Sequence, residues 1–126
     1  MNKKRKTPEY DLQCKIADFL NIVLNKKLTF WSSIENSNHS GNLAGMVKQA
    51  KDKRKGVKAG LPDLVILYNN TSLWVELKAK AGVVSDKQKA VHGEIKTTGN
   101  NIEIIRNIED LTAILHAYKI PTLIKG

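Results

Sequence analysis

The sequence lacks several features that would place the protein outside a reducing compartment or in a membrane. Cys14 is its only cysteine, so neither an intramolecular disulfide nor an all-cysteine metal site can form. Apolar runs such as residues 64–67 fall far short of the ~20 residues that a membrane span needs. Basic residues 3–6 are followed by polar residues, not by the apolar segment of a signal peptide. We therefore expect an intracellular protein without a membrane segment.

Acidic residues are also few. Asp and Glu number 12 against 21 Lys and Arg, giving a net charge of +9 in 126 residues. Much of the excess lies in residues 3–6 and in a second group, the basic stretch, which comprises Lys48, Lys51, Lys53, Arg54, Lys55 and Lys58. Clustered cations attract polyanions such as nucleic acid, with an affinity that falls as salt rises. A merely solvated basic surface is the alternative interpretation.

With 41% apolar residues, the chain is typical of a globular domain. Residues 1–7 are expected to form a flexible basic arm and residues 8–126 a single domain. Capping signals, helical spacing of apolar residues and alternating apolar segments predict four helices and four strands. In order, these are a helix over 8–25, a strand over 28–31, a short helix near 43–53, strands over 63–68 and 73–78, a helix from Ser85 to about 96, a strand over 102–106 and a helix after Asn107. This order predicts the α/β class, with a mixed sheet flanked by helices.

The predicted hairpin carries the residues with the most chemical information. Side chains alternate along a strand, so Glu76 and Lys78 share one face. A four-residue link over 69–72 would pair Tyr68 with Leu73. Asp63 would then lie opposite Lys78 and diagonal to Glu76, on the same face. The pattern predicts two carboxylates converging on one divalent cation with an ammonium beside it.

Such a set suits phosphodiester hydrolysis. Mg²⁺ and Mn²⁺ prefer oxygen ligands and are commonly held by one or two carboxylates together with substrate phosphate. The ion polarises the phosphoryl oxygen, and a nearby lysine offsets charge that develops in the transition state. The alternative is an ordinary Glu–Lys pair on an exposed strand face.

A longer string adds context to these residues. The sequence Gly-Val-Lys-Ala-Gly-Leu-Pro-Asp-Leu over 56–64, followed by Glu-Leu-Lys over 76–78, resembles the PD-(D/E)xK nucleases. Within them it is similar to the stand-alone virus-type replication-repair nuclease (VRR-NUC) family found in phages, over residues 8–118. The resemblance implies a restriction-endonuclease-like fold and Mg²⁺- or Mn²⁺-dependent endonuclease cleavage of DNA. It further implies a homodimer, branched DNA such as four-way (Holliday) junctions as substrate, and a host-cytoplasmic location if the protein is phage-encoded.

The resemblance also assigns roles to residues. It makes Asp63, Glu76 and the backbone carbonyl of Leu77 metal ligands, and Lys78 the catalytic lysine. Glu9 matches an acidic residue that the family contributes to the site from a helix. The resemblance therefore makes Glu9 both a catalytic residue and a metal ligand. Helical spacing places Glu9 on the apolar stripe of the first helix, pointing inward. The alternative is a charge favoured at a helix N-terminus for its dipole alone.

Further polar residues have two interpretations each. Gln13, one turn after Glu9, is expected to position substrate or water. Gln88 is either catalytic or simply the capping-box residue of its helix. Lys80 contacts phosphate or ends a solvated strand. His39 lies where many family members carry a histidine near the substrate. With the basic stretch, Gln13, Lys80 and His39 form the predicted DNA-binding set.

Two histidines, His92 and His116, fall within predicted helices and are expected on their surfaces or boundaries, with a role as ligands as the alternative. An alternative of a different class is a non-catalytic basic DNA-binding module that retains the nuclease fold. The alternatives differ in metal dependence, because a pure binder responds to ions only through salt screening. An RNA-directed nuclease also stays open, since no residue that reads a 2′-hydroxyl is identifiable.

Overall fold

The computed structural model describes residues 8–35 and 41–123. The predicted basic arm over 1–7 and His39 lie outside the described residues. The elements are α1 (Pro8–Val23), β1 (Thr29–Ser33), α2 (Leu43–Arg54), β2 (Leu64–Tyr68), β3 (Thr71–Leu77), α3 (Asp86–Thr97), β4 (Asn101–Ile105) and α4 (Ile108–Ala117). The predicted order is confirmed, with boundaries shifted by up to two residues.

The four strands form one mixed sheet in the order β1-β2-β3-β4. The β1–β2 and β2–β3 pairs are antiparallel, whereas β3 and β4 are parallel. Parallel neighbours need a crossover connection, and α3 supplies it. The predicted α/β architecture of a mixed sheet flanked by helices is therefore confirmed.

The predicted hairpin register is wrong by two residues. Tyr68 pairs with Thr71, and Leu64 pairs with Val75, so the link is a two-residue turn. Asn69 and Asn70 form it with φ of 46° and 60°, and asparagine tolerates the positive φ that a type I′ turn requires at both positions. A slip of one residue exchanges the faces of a strand, but a slip of two preserves them. The predicted shared face of the acidic residues is thus unaffected.

The hydrophobic core lies between one face of the sheet and the helices α1 and α4. Leu64, Ile66 and Val75 from the sheet are buried there with Leu20 of α1 and Leu111 of α4. Since strand side chains alternate, Glu76 lies on the opposite face, where α3 packs. The sheet therefore places the carboxylate of Glu76 beneath the polar helix α3 and away from the apolar core.

Two helix caps fix the elements on either side of β4. The Ser85 side chain accepts from the Gln88 N–H while the Gln88 side chain accepts from the Ser85 N–H, a complete capping box. Asn107 caps α4 by accepting from the Asp110 N–H. Within residues 8–35 and 41–123, no helix combines the length and apolar character of a membrane span.

Candidate active site

Glu76 is the centre of the site and is almost completely buried. Its side chain is 2% exposed, and its Oε2 lies 3.7 Å from Nζ of Lys78, whose side chain is 8% exposed. Burying a carboxylate is costly unless it is paired and hydrogen-bonded. The two side chains that the sequence placed on one face are therefore close partners in the folded protein.

Asp63 is the second carboxylate of the site. Its Oδ2 accepts a hydrogen bond from the backbone N–H of Leu77 at 2.7 Å, which anchors Asp63 beside the end of β3. Burial, followed by hydrogen bonding to Asp63 and the charge of Asp63, raises the pKa of Glu76 to about 8, while Lys78 opposes the shift. Two carboxylates that share a site resist ionising together. A bound cation would relieve that repulsion.

The helix α3 holds Glu76 from the other side. Gln88 Nε2 donates to Oε2 of Glu76 at 3.3 Å, while its Oε1 completes the capping box. Gln88 is therefore the capping-box residue and also contacts Glu76, while its predicted catalytic role stays a prediction. His92 Nε2 lies 3.1 Å from Oε1 of Glu76, and the residue is buried. Burial, then the charges of nearby lysines, lowers the pKa of His92, so the imidazole is neutral near pH 7.

The expectation that His92 occupies a helix surface or boundary is thus wrong. It lies four residues after Gln88, so both project from the same face of α3. The four-residue spacing of Gln88 and His92 is visible in the sequence. It indicates a shared contact only once this face of α3 is known to cover Glu76. His116 of α4 is exposed, as predicted.

Glu9 reaches the site from its edge and not from the interior. Its side chain is 49% exposed, and its Oε1 lies 3.9 Å from Nζ of Lys78. The predicted inward orientation is confirmed only in part, because the side chain of Glu9, in the first turn of α1, contacts Lys78 but stays half exposed. Gly82 closes this corner, since a Cβ there would meet Glu9 Oε1 at 3.0 Å and Lys78 Cδ at 3.3 Å.

The donor set fits a magnesium-type ion. The two carboxylates of Asp63 and Glu76 meet at the end of β3, and in a strand both backbone polar groups of one residue point to the same side. The Leu77 carbonyl therefore faces Asp63, as the Leu77 N–H does. Among the described residues, no three His, Cys, Asp or Glu side chains form a metal cluster. Mg²⁺ needs no such cage, because it keeps several waters and takes one or two carboxylates with substrate oxygens.

Other predicted residues lie around the site without joining it. Gln13 Nε2 donates to Oγ of Ser33 at 3.3 Å, so its side chain is directed to β1. Lys80 is exposed, two residues after Lys78. Their predicted roles toward substrate and that of His39 stay predictions, as do the predicted catalytic and metal-binding roles of Glu9.

The basic stretch runs along α2 and the loop that follows it. Asp52 is buried and engages two of its cations, Lys48 at 3.2 Å and Lys55 at 3.8 Å. A groove of about 360 Å³ then brings Lys53 and Lys58 together with Lys87 of α3. Lys87, which sequence reasoning missed, precedes Gln88, so the basic groove adjoins the residue that contacts Glu76.

Comparison with known proteins agrees with this geometry. No curated protein matches the chain significantly. A solved structure described as "VRR_NUC domain protein" superposes with a TM-score of 0.65 at 21% identity, covering 93% of each chain, which shows that the fold is shared. A sequence model of the VRR-NUC domain matches residues 5–107. The chain belongs to the VRR-NUC domain family and is therefore a nuclease-type, DNA-processing protein.

Proposed function

We propose that the protein is a metal-dependent endonuclease that hydrolyses DNA phosphodiester bonds and selects branched DNA such as four-way junctions. The observation that carries the proposal is the convergence of Asp63, Glu76 and Lys78 in one partly buried cluster. The raised pKa of Glu76 and its 3.7 Å separation from Lys78 describe a site whose negative charge is only partly balanced by the protein.

Asp63, Glu76 and the Leu77 carbonyl would hold the ion, Mg²⁺ or Mn²⁺. A bound divalent cation polarises the scissile phosphate and lowers the pKa of adjacent water. Lys78 then contributes a fixed positive charge, since the Glu9 and Glu76 carboxylates hold its ammonium between them at 3.9 and 3.7 Å. An ammonium in this position orients the attacking water and stabilises charge on the phosphoryl group in the transition state.

The basic groove offers a path for the DNA backbone toward this cluster. Lys53, Lys58 and Lys87 line the groove. Gln88 follows Lys87 in α3 and donates a hydrogen bond to Glu76, so one end of the groove adjoins the cluster. Contacts of lysine with phosphates carry no sequence information. Specificity for shape, as in branched DNA, is therefore the selectivity that such a surface supports.

A cleavage assay tests the proposal directly. Labelled four-way junction, flap, linear duplex and single strand, with an RNA duplex beside them, are incubated with Mg²⁺, Mn²⁺ or EDTA. We expect metal-dependent nicks near the branch point of the junction, with slower cutting of linear duplex. Binding of the same DNAs without cutting under either ion would refute the endonuclease and support a non-catalytic binding module.

Lys78→Met is the informative variant because methionine keeps the length of the buried stem and removes the charge. We expect cutting to fall by about 10²–10³-fold, with DNA binding nearly retained. Lys26→Met is the matched control. Lys26 is exposed beyond the far end of α1, and a 16-residue helix spans about 24 Å.

We extend the proposal to a homodimer, in which two sites face the two strands of a junction. The exposed neighbours Phe30 of β1 and Leu67 of β2, 63% and 44% exposed, support self-association because they form an apolar pair on the sheet. Sedimentation should give a dimer for the full chain and a monomer for Phe30→Asp. A monomeric wild-type protein at micromolar concentration would refute this extension.

A further inference from the structure

We propose that His92 is a positioning residue for Glu76, holding the carboxylate in the orientation in which it binds the metal ion. The inference rests on the proposed function, since it concerns the same metal site. His92 would not bind the ion or touch the substrate. It would act through the hydrogen bond that joins its Nε2 to Oε1 of Glu76.

The contact geometry is that of a two-point clamp. Gln88 and His92 lie one helical turn apart on α3 and contact different oxygens of the same carboxylate, Oε2 at 3.3 Å and Oε1 at 3.1 Å. Rotation about the last bond of a glutamate side chain has broad, shallow minima. Two contacts from one helix remove that freedom, whereas Gln88 alone would leave the carboxylate able to turn.

The clamp is itself held rigidly. The Gln88 side chain also accepts from the Ser85 N–H at 2.9 Å, so its amide is oriented by the helix cap. His92 is buried with Glu76 beneath α3, and its ring cannot turn to water without leaving the carboxylate. The rigidity of α3 is thereby transmitted to an oxygen donor on β3.

The type of residue at position 92 also matters. An imidazole N–H that donates to Oε1 uses only part of the acceptor capacity of the Glu76 carboxylate, so other lone pairs stay available to a cation. Lys78 already supplies the positive charge on the other side, at 3.7 Å. Hydrogen-bond donors that orient a metal ligand typically change metal affinity by about 10–100-fold when they are removed.

The test is isothermal titration of the full chain with Mn²⁺ alone, at fixed pH, for wild type and three variants. His92→Leu replaces the imidazole with an apolar side chain of similar size and so removes its hydrogen bond to Glu76. We expect Mn²⁺ affinity to fall about 10–100-fold. His92→Gln places an amide N–H near the Nε2 position, and we expect affinity to return to within a few-fold of wild type. His116→Leu, an exposed histidine on α4, is the matched control and should bind as wild type does.

The outcomes separate the inference from the proposed function. If wild type neither binds Mn²⁺ nor cuts DNA, the proposed function fails and takes the inference with it. If wild type binds and His92→Leu binds equally well, the inference alone is wrong and His92 merely fills space. If His92→Gln is as weak as His92→Leu, the hydrogen-bond role is wrong.

A second measurement needs no variant and guards against a leucine variant that does not fold. Nitrogen-15 NMR of the histidine rings in the wild-type chain at about pH 9, above the pKa of about 8 of Glu76, reports which ring nitrogen carries the proton when Glu76 is ionised. We expect His92 to be protonated at Nε2 and bare at Nδ1. The opposite tautomer would overturn the proposal, because Nε2 could not then donate to Glu76.

Discussion

Replacing Glu76 by glutamine should remove a pH dependence from the stability of the protein in EDTA. The pKa of Glu76 rises from its ordinary 4.5 to about 8 in the folded chain, chiefly through burial and then through Asp63. The folded state therefore binds this proton more tightly than the unfolded state does. The resulting stabilisation is complete below pH 4.5 and is lost as the pH rises through about 8.

The size of the effect follows from the shift. The interval between the two pKa values sets an upper limit of roughly 5 kcal/mol. Rearrangement of Lys78 and entry of water on ionisation reduce this, and we expect a loss of about 2–4 kcal/mol between pH 5 and pH 9. Since a domain of this size has a total unfolding free energy of about 5–15 kcal/mol, the loss is easily measured.

The assay is urea unfolding in EDTA at unit steps from pH 5 to pH 9, for wild type and Glu76→Gln. Groups that do not contact Glu76 titrate alike in both proteins, so the difference between the two curves reports Glu76 together with the groups that it contacts. We expect the variant to gain on wild type steadily as pH rises. Glu109→Gln is the control, because Glu109 is exposed on α4 and is not among the groups that shift the pKa of Glu76, so its removal should leave the wild-type slope unchanged.

Two results would refute the reasoning. Parallel curves for wild type and Glu76→Gln would mean that Glu76 is already ionised in the folded state at pH 5. Addition of Mn²⁺ at pH 8 should stabilise wild type and leave Glu76→Gln nearly unaffected, because only the bound carboxylate gains from the ion. Equal stabilisation of both proteins would place any bound ion elsewhere.

Three further predictions concern other parts of the chain. Gly82→Ala should reduce cleavage, measured as the single-turnover rate, because the added Cβ meets side-chain and backbone atoms at 3.0–3.3 Å. Gly93→Ala is the control, because a Cβ on that side of α3 meets open space. It should leave the rate unchanged and raise stability by about 0.5–1 kcal/mol. Tyr118→Phe should destabilise the domain by about 1 kcal/mol, since hydrogen bonding to Glu103 and burial raise the pKa of Tyr118 to about 12; an unchanged urea midpoint would contradict it. Lys58→Ala should lower the slope of log affinity against log salt for duplex DNA by about 1, and an unchanged slope would remove Lys58 from the DNA path.

Local signals in the sequence were sufficient for the elements and their order. The capping box of Ser85 and Gln88 and the cap at Asn107 define helix starts through contacts within three residues. Alternation in the hairpin likewise assigned Glu76 and the core residues to opposite faces, because that assignment depends only on the strand period of two.

The hairpin register depended on more than the pattern. The residues 69–72 are compatible with a four-residue link, and the two-residue turn depends on Asn69 and Asn70 both taking positive φ. Because the error was two residues, the faces were unaffected. The predicted opposition of Asp63 and Lys78 was nevertheless wrong, and Asp63 instead contacts the Leu77 N–H.

The sequence by itself determined the class of the fold, the hairpin faces and the trio Asp63, Glu76 and Lys78, since each follows from short-range periodicity or motif spacing. Only the tertiary structure decided how deeply Glu76 is buried and that His92 contacts Glu76. It also showed that Glu9 lies at the half-exposed edge of the site. These properties arise from the packing of α3 and α1 against β3, between residues more than ten positions apart. The burial of a side chain and the charge around it depend on many such distant residues, so no local sequence pattern predicts them.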